Sequence, residues 1–268
     1  MRTVMALIVS AALGPPAAFG QMRDNRDKQL TCETRGYNRQ AHSCEIRETS
    51  FSSPGHIVAN PGQNGGVSIR GWLRTDVLVR SRVEGWADSD AEAASLVKQI
   101  NVETSGGSIT AHGPFNTGHR EGWSVSYEIF VPQASNVEVR SFNGGIDVSD
   151  VNGTLRAETM NGGIHLARMA GEVTGTTTNG GVHVELMGFS WQGRELDLRT
   201  TNGGVTVSMP AGYSAHVKAE TVNGGVNSEF PLTVTGRLNT RDIDANVGSG
   251  GPLIHISTVN GGVNIRRS

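Results

Sequence analysis

The chain has 268 residues, a formal net charge of −2, 36 glycines and only 5% aromatic residues. The near-neutral charge excludes the basic footprint of a nucleic-acid binder and a polybasic membrane patch. So few aromatics argue against a large globular core or an aromatic-lined ligand groove, and so many glycines imply a thin core with frequent turns.

Residues 1–20 read as a secretory signal peptide. Arg2 supplies the positive end, Val4 to Leu13 form an apolar run, and Ala18-Phe19-Gly20 is a small-x-small cleavage site before Gln21. The run is too short to cross a bilayer. No cysteine follows it to take a lipid, and no second long apolar segment follows, so the mature chain is expected to be exported to the periplasm or the cell exterior without a membrane span.

Residues 21–53 are polar and contain Cys32 and Cys44. An even cysteine count in an exported chain favours a disulfide. The loop it closes is short, so its stabilisation is on the order of 2–3 kcal/mol. The spacing is not Cys-x-x-Cys, which argues against a redox pair.

Residues 54–135 form a less regular β part. Ile57 to Ala59, Val67 to Trp72, Val77 to Val83 and Trp123 to Val131 alternate as strands. Asp88-Ser89-Asp90 is a helix-start signal and predicts one short amphipathic helix over 89–100. This half is expected to cap a stack, because an open stack end exposes apolar surface and an unpaired edge.

Residues 136–268 carry the main pattern. Asn-Gly-Gly followed by Val or Ile occurs seven times in the chain, at Asn64, Asn143, Asn161, Asn179, Asn202, Asn223 and Asn260. Ser105-Gly106-Gly107 reads as a degenerate eighth copy. From Asn143 to Asn223 the spacings are 18, 18, 23 and 21 residues, which marks a stack of similar units. Each unit has a period-two strand before the turn, as in Leu155-x-Ala157-x-Thr159, and another after it, as in Ile164-x-Leu166. Asn and Gly suggest a corner with positive φ. The Ser or Thr two residues before the Asn has inward parity and is expected to bond the turn backbone. The pattern breaks between Glu229 and Pro252, as an irregular coil or an excursion from the stack.

Two architectures fit such units, an antiparallel meander of Asn-Gly hairpins and a parallel solenoid. The outward positions favour the solenoid. One column reads Glu138, Arg156, Thr174, Asp197, Lys218 and the next reads Arg140, Glu158, Thr176, Arg199, Glu220. Charge alternates wherever successive copies are both charged, as expected if equivalent strands lie side by side. The expected fold is all-β, a solenoid-like stack of two facing sheets with about 18–23 residues per coil and one short helix in the N-terminal half.

The chain resembles the secreted bacterial family of adhesin-domain proteins of unknown function over roughly Cys44 to Arg267. The resemblance is carried by Cys44-Glu45-Ile46-Arg47-Glu48, Asn64-Gly65-Gly66-Val67 with Gly71-Trp72, Trp123-Ser124-Val125-Ser126-Tyr127, the Thr-x-Asn-Gly-Gly series and Gly250-Gly251-Pro252-Leu253-Ile254. It implies a surface or periplasmic β-repeat protein. It supplies no catalytic residues.

Little chemistry is written along the repeat. His165 and His183 share an outward position in adjacent copies, with Asp147 one copy earlier, and stacked about 4.8 Å apart they could hold a transition metal. The plainer reading is a solvated polar column that continues with Thr206, Asn227 and Asn264. No cofactor is expected. Acids that alternate with bases down the columns argue against the clustered acids of a glycan-cleaving solenoid. The expectation is therefore a non-enzymatic exported protein presenting Arg156, Glu158, Arg199 and Glu220 to envelope protein or polysaccharide. The alternatives are a polysaccharide lyase or hydrolase, and a periplasmic envelope-stress sensor or scaffold. A thiol titration of the denatured, unreduced protein should detect no free thiol; two thiols per chain would disprove the disulfide.

Overall fold

The computed structural model describes residues 30–32, 40–115, 118, 120–234 and 240–268. The signal-peptide reading of residues 1–20 lies outside them.

Period-two alternation puts Val, Ile and Leu on one face of each strand, and two such faces must close on each other to exclude water. Among the described residues, ten strands form one sheet and eleven the other. In the eleven-stranded sheet the pre-turn strands Asn136–Asn143, Asn152–Asn161, Ala170–Asn179 and Glu195–Asn202 lie side by side, parallel and in register. The post-turn strands Ile146–Ser149, Ile164–Ala167, Val182–Glu185 and Val205–Met209 repeat that order in the ten-stranded sheet. Each coil therefore crosses between sheets at its turn and stacks on the coil before it, so the solenoid-like reading holds and the meander does not. Between the sheets, Val139, Ala157, Leu166, Leu198 and Val207 have no exposed surface. Burial of each larger side chain contributes roughly 1.5–3 kcal/mol.

The corner explains the repeated motif, but by a different cause from positive φ. Among the turn glycines only Gly65 has φ in the positive region, at 146°. The constraint is backbone proximity. A Cβ on Gly144, Gly162, Gly180 or Gly203 would lie 2.0–2.1 Å from the carbonyl oxygen of the preceding turn's glycine. No side chain fits there. The same carbonyls accept the predicted hydroxyl bonds: Thr159 donates to Gly144, Thr177 to Gly162 and Thr200 to Gly180, at 2.8–2.9 Å. The asparagines form a ladder. Each side-chain amide donates to the carbonyl of the next asparagine in the order 223, 260, 202, 179, 161, 143, 64, at 2.8–3.1 Å. Positive φ appears instead at the opposite corner, where Asp150 (61°) and Arg168 (54°) stack and pair through two bonds of 2.6 and 2.7 Å.

Two further expectations are corrected, and one strand is added. The coils do not stack strictly in chain order: Leu253–Asn260 of the last coil sits between Glu195–Asn202 and Ala215–Asn223. Lys218 thus stands beside His255 and Asp244, not beside Asp197. The cause is the break in the pattern after Ser228. Leu232–Val234 and Asp242–Val247 pair antiparallel and lie outside Ala215–Asn223, covering that edge, and the chain then returns to fill the inner slot. Secondly, Gly106 and Gly107 are not a stack corner. They join Asn101–Ser105 to Ser108–His112 in an antiparallel hairpin, with φ of 58° and 86°. Two consecutive residues at positive φ suit a tight hairpin turn. The added strand is Ala41–Ser52, twelve residues within the polar segment 21–53. Neither of its faces is apolar, so periodicity does not announce it.

That strand pairs antiparallel with Asp76–Ala87, which pairs antiparallel with Gly122–Pro132, and these close one end of the ten-stranded sheet. Beside them, Val67–Trp72 carries the first Asn-Gly-Gly coil into the stack. In the other sheet His56–Asn60 joins the hairpin to Asn136–Asn143. The helix spans Asp90–Gln99 and Ser89 caps it, accepting from the Glu92 amide. Arg47 donates to the carbonyls of Val97 and Ile100 at its C-terminal end, where a cation is favoured. Cys32 and Cys44 are bonded, with Cα atoms 5.7 Å apart.

The corner makes a graded prediction. Gly162→Ala should destabilise the protein by about 3 kcal/mol, because a Cβ must push apart two hydrogen-bonded turns. Asn179→Ala should cost only about 1 kcal/mol, because its two ladder bonds are exposed. Thermal midpoints should fall by roughly 2–4 °C per kcal/mol. Equal shifts in the two variants would show that proximity is not the constraint.

Candidate functional site

The outward residues of the ten-stranded sheet form one continuous column. Register places Ser68, Asp147, His165, His183, Thr206, Asn264 and Asn227 side by side in that order. The predicted polar column is therefore real, with its last two members exchanged by the inserted coil. Beside it runs a groove of about 750 Å³. Its lining residues come from seven neighbouring strands, from Arg82 through Ser126, Ser68, Asp147, His165 and His183 to Thr206. Six inter-strand steps of about 4.8 Å make it roughly 29 Å long. Leu30 also lines it, and the disulfide two residues on ties that segment to the edge strand.

The floor is glycine. Gly66, Gly145, Gly163, Gly181 and Gly204, the second glycine of five successive turns, all line the groove. Stacking restricts these positions less than the first glycines. A Cβ on Gly145 or Gly163 would lie 3.4–3.5 Å from the neighbouring carbonyl, an ordinary contact, and one on Gly66, Gly181 or Gly204 would lie 3.1–3.3 Å away, a tight one. A side chain at any of them would occupy the groove.

At the centre of the column, His165 Nδ1 lies 2.8 Å from Asp147 Oδ2. The two imidazoles stack with centroids 5.3 Å apart and planes 26° from parallel. Glu185 Oε1 lies 3.5 Å from His165 Nε2 and 3.7 Å from His183 Nε2. The bond to Asp147 holds the His165 pKa above the ordinary imidazole value against the opposing effect of burial, and Glu185 adds to it. His183 is pushed down, first by burial and then by the charge of His165. Sequence reasoning missed Glu185, because the equivalent position in the two preceding copies holds Ala167 and Ser149. The signal that could have found it is local: His183 and Glu185 are two apart on one strand and face the same side.

The other predicted face lies on the opposite sheet. Arg156, Glu158, Arg199 and Glu220 are all at its outer surface, and each is engaged within its own strand. Arg156 Nε donates to Glu158 at 2.9 Å, Arg199 donates to Asp197 at 2.7 and 3.1 Å, and Lys218 meets Glu220 at 2.9 Å. Most pairing thus runs along strands. Arg140 to Glu158, at 3.5 Å, is a pair across copies. Such exposed pairs are each worth roughly 0–1 kcal/mol.

A sequence profile of the Toastrack DUF4097 family, a domain of unknown function, matches residues 63–266. The chain belongs to this family. The expected resemblance to a family of unknown function therefore holds. Among solved structures, the Toastrack chain is similar to a proposed cell adhesion protein of Clostridium sporogenes, with 16% identity over 84% of this chain and 100% of that one and a TM-score of 0.46. It is also similar to a proposed adhesin of Bacteroides fragilis, with 11% identity over 84% and 97% of the two chains and a TM-score of 0.38. A proposed lipid-binding protein of Parabacteroides distasonis has 11% identity over 83% and 96%, with a TM-score of 0.38. No curated protein matches the chain.

Proposed function

We propose that this chain is an exported, non-enzymatic scaffold that binds an extended envelope polymer, polysaccharide or protein, along the groove of the ten-stranded sheet. The observation that carries this reading is the glycine floor. Five successive turns leave out a side chain where a Cβ would stand 3.1–3.5 Å from the neighbouring carbonyl, far less crowded than at the first glycines, and together they keep the groove open. Stacked repeats make extended binding surfaces of this kind. Export is supported by the Cys32–Cys44 disulfide, because such bonds persist in oxidising compartments. Among the described residues no helix is long and apolar enough to cross a membrane. The charged face of the other sheet is the weaker candidate, since its arginines and carboxylates already satisfy one another.

Co-sedimentation of the purified protein with insoluble polysaccharides and with cell envelope tests the proposal. Ser68→Trp combined with Thr206→Trp should obstruct the groove and reduce binding at least about tenfold, a loss of roughly 1.4 kcal/mol, with the thermal midpoint kept. Arg156→Ala with Arg199→Ala probes the opposite face. Loss of binding there but not in the groove variant would move the contact to the eleven-stranded sheet. No binding to any glycan or envelope fraction would reject the scaffold reading. Protease treatment of the envelope separates a protein ligand from a polysaccharide.

A further inference from the structure

We infer that His165, His183 and Glu185 form a binding site for a divalent transition metal of the zinc type, with Asp147 orienting His165. The three side chains come from two adjacent parallel strands whose register is set by the whole stack, so their backbones are held rigidly before any ion arrives. Their donor atoms all lie within 4.8 Å of one another. Zinc bonds of about 2.0–2.1 Å at tetrahedral angles put ligand atoms about 3.3–3.4 Å apart. Glu185 Oε1 is already 3.5 Å from His165 Nε2 and 3.7 Å from His183 Nε2. The remaining closure, of no more than about 1.5 Å on any edge, is within reach of side-chain rotation on this half-exposed surface.

Asp147 is not a ligand in this arrangement. Its Oδ2 lies 2.8 Å from His165 Nδ1, so it accepts the Nδ1 proton and leaves the lone pair on Nε2, the nitrogen that faces Glu185. A carboxylate behind a metal-bound histidine is the usual outer support of such sites. The donor set also selects the ion. Two imidazoles and one carboxylate suit zinc, copper or nickel, whereas calcium and magnesium prefer oxygen donors throughout. Nearby positive charge comes from Arg168 and Arg266. Arg168 is held by Asp150 through two short bonds, which reduces its opposition to a cation. Three protein donors leave a fourth coordination position. His165 and His183 both line the groove, so water or, on the groove-binding reading, a carboxylate of the bound polymer completes the coordination.

Calorimetric titration of the purified protein with zinc chloride in a non-chelating buffer tests the site, with Co²⁺ absorption reporting the coordination geometry. The expected result is one saturable equivalent and a tetrahedral cobalt spectrum. His183→Asn should abolish the binding, and Asp147→Asn should weaken it about 10–100-fold. His112→Asn, on the strand next to one edge of the other sheet, should leave it unchanged. No saturable binding by the unaltered protein, or equal affinity in His183→Asn, would overturn the assignment. An equal loss in His112→Asn would place the ion elsewhere and would also overturn it. The titration contains no polymer, so its failure and the failure of groove binding are separate results.

Discussion

The structure depends on how closely the backbones approach at the Asn-Gly-Gly corner. Successive turns stack so tightly that the first glycine of one rests against the glycine carbonyl of the turn before it. That contact sets the register of both sheets at once, because each corner joins one strand of each. It also satisfies the corner. The glycine amides donate to the asparagine carbonyls of the next turn, and the threonine hydroxyls take up the glycine carbonyls. A sharp bend at the boundary of a core would otherwise leave backbone groups buried and unpaired. The asparagine ladder adds a second row of bonds outside this one. It contributes less, since its amides compete with water.

From this register the site follows. Parallel strands in exact alignment convert a position in the repeat into a column on the surface, so one variable residue per coil becomes a row of neighbours about 4.8 Å apart. On one sheet that row is mostly charged and pairs mainly with the second charged row, two residues along each strand. On the other it holds serine, aspartate, two histidines and threonine beside a glycine-floored groove. The two faces differ because the post-turn strands are short and begin directly at the glycines. Their outward side chains therefore flank open space, whereas the longer pre-turn strands place a second row of charges within reach of the first.

A parallel stack has two open ends; antiparallel strands close the first in both sheets and the second in the eleven-stranded sheet, while the ten-stranded sheet ends there on the short parallel strand Val226–Ser228. At one end the long strands Ala41–Ser52, Asp76–Ala87 and Gly122–Pro132 extend the sheet, with the helix packed against the first two. At the other end the Asp242–Val247 strand reverses direction and pairs with the edge of the stack. Reversal breaks the repeating register, so a further coil cannot add in line. The last coil instead enters between the fourth and fifth turns of the 143–260 series, where both of its edges are paired.

The sequence by itself determined the all-β class, the coil length, the corner positions, the inward threonines, the helix with its serine cap and the single cysteine pair. These are local consequences of residue type and spacing, and a period-two pattern repeated at near-constant intervals leaves few ways to bury its apolar face. The polar column of Asp147, His165 and His183 was legible for the same reason. Tertiary structure alone decided the rest. It set the order of the last two coils, because repeat spacing is blind to which coil fills a slot; in the observed order Asp197 meets His255 and Lys218 pairs with Glu220 on its own strand. It turned Gly106-Gly107 into a hairpin, since a turn motif does not state whether its strands run parallel or antiparallel. It gave the corner glycines their reason, which lies in a neighbour many residues away and not in their own φ. It also brought Glu185 to His165, because a diagonal contact between strands depends on which strand lies next door, and only the folded chain supplies that neighbour.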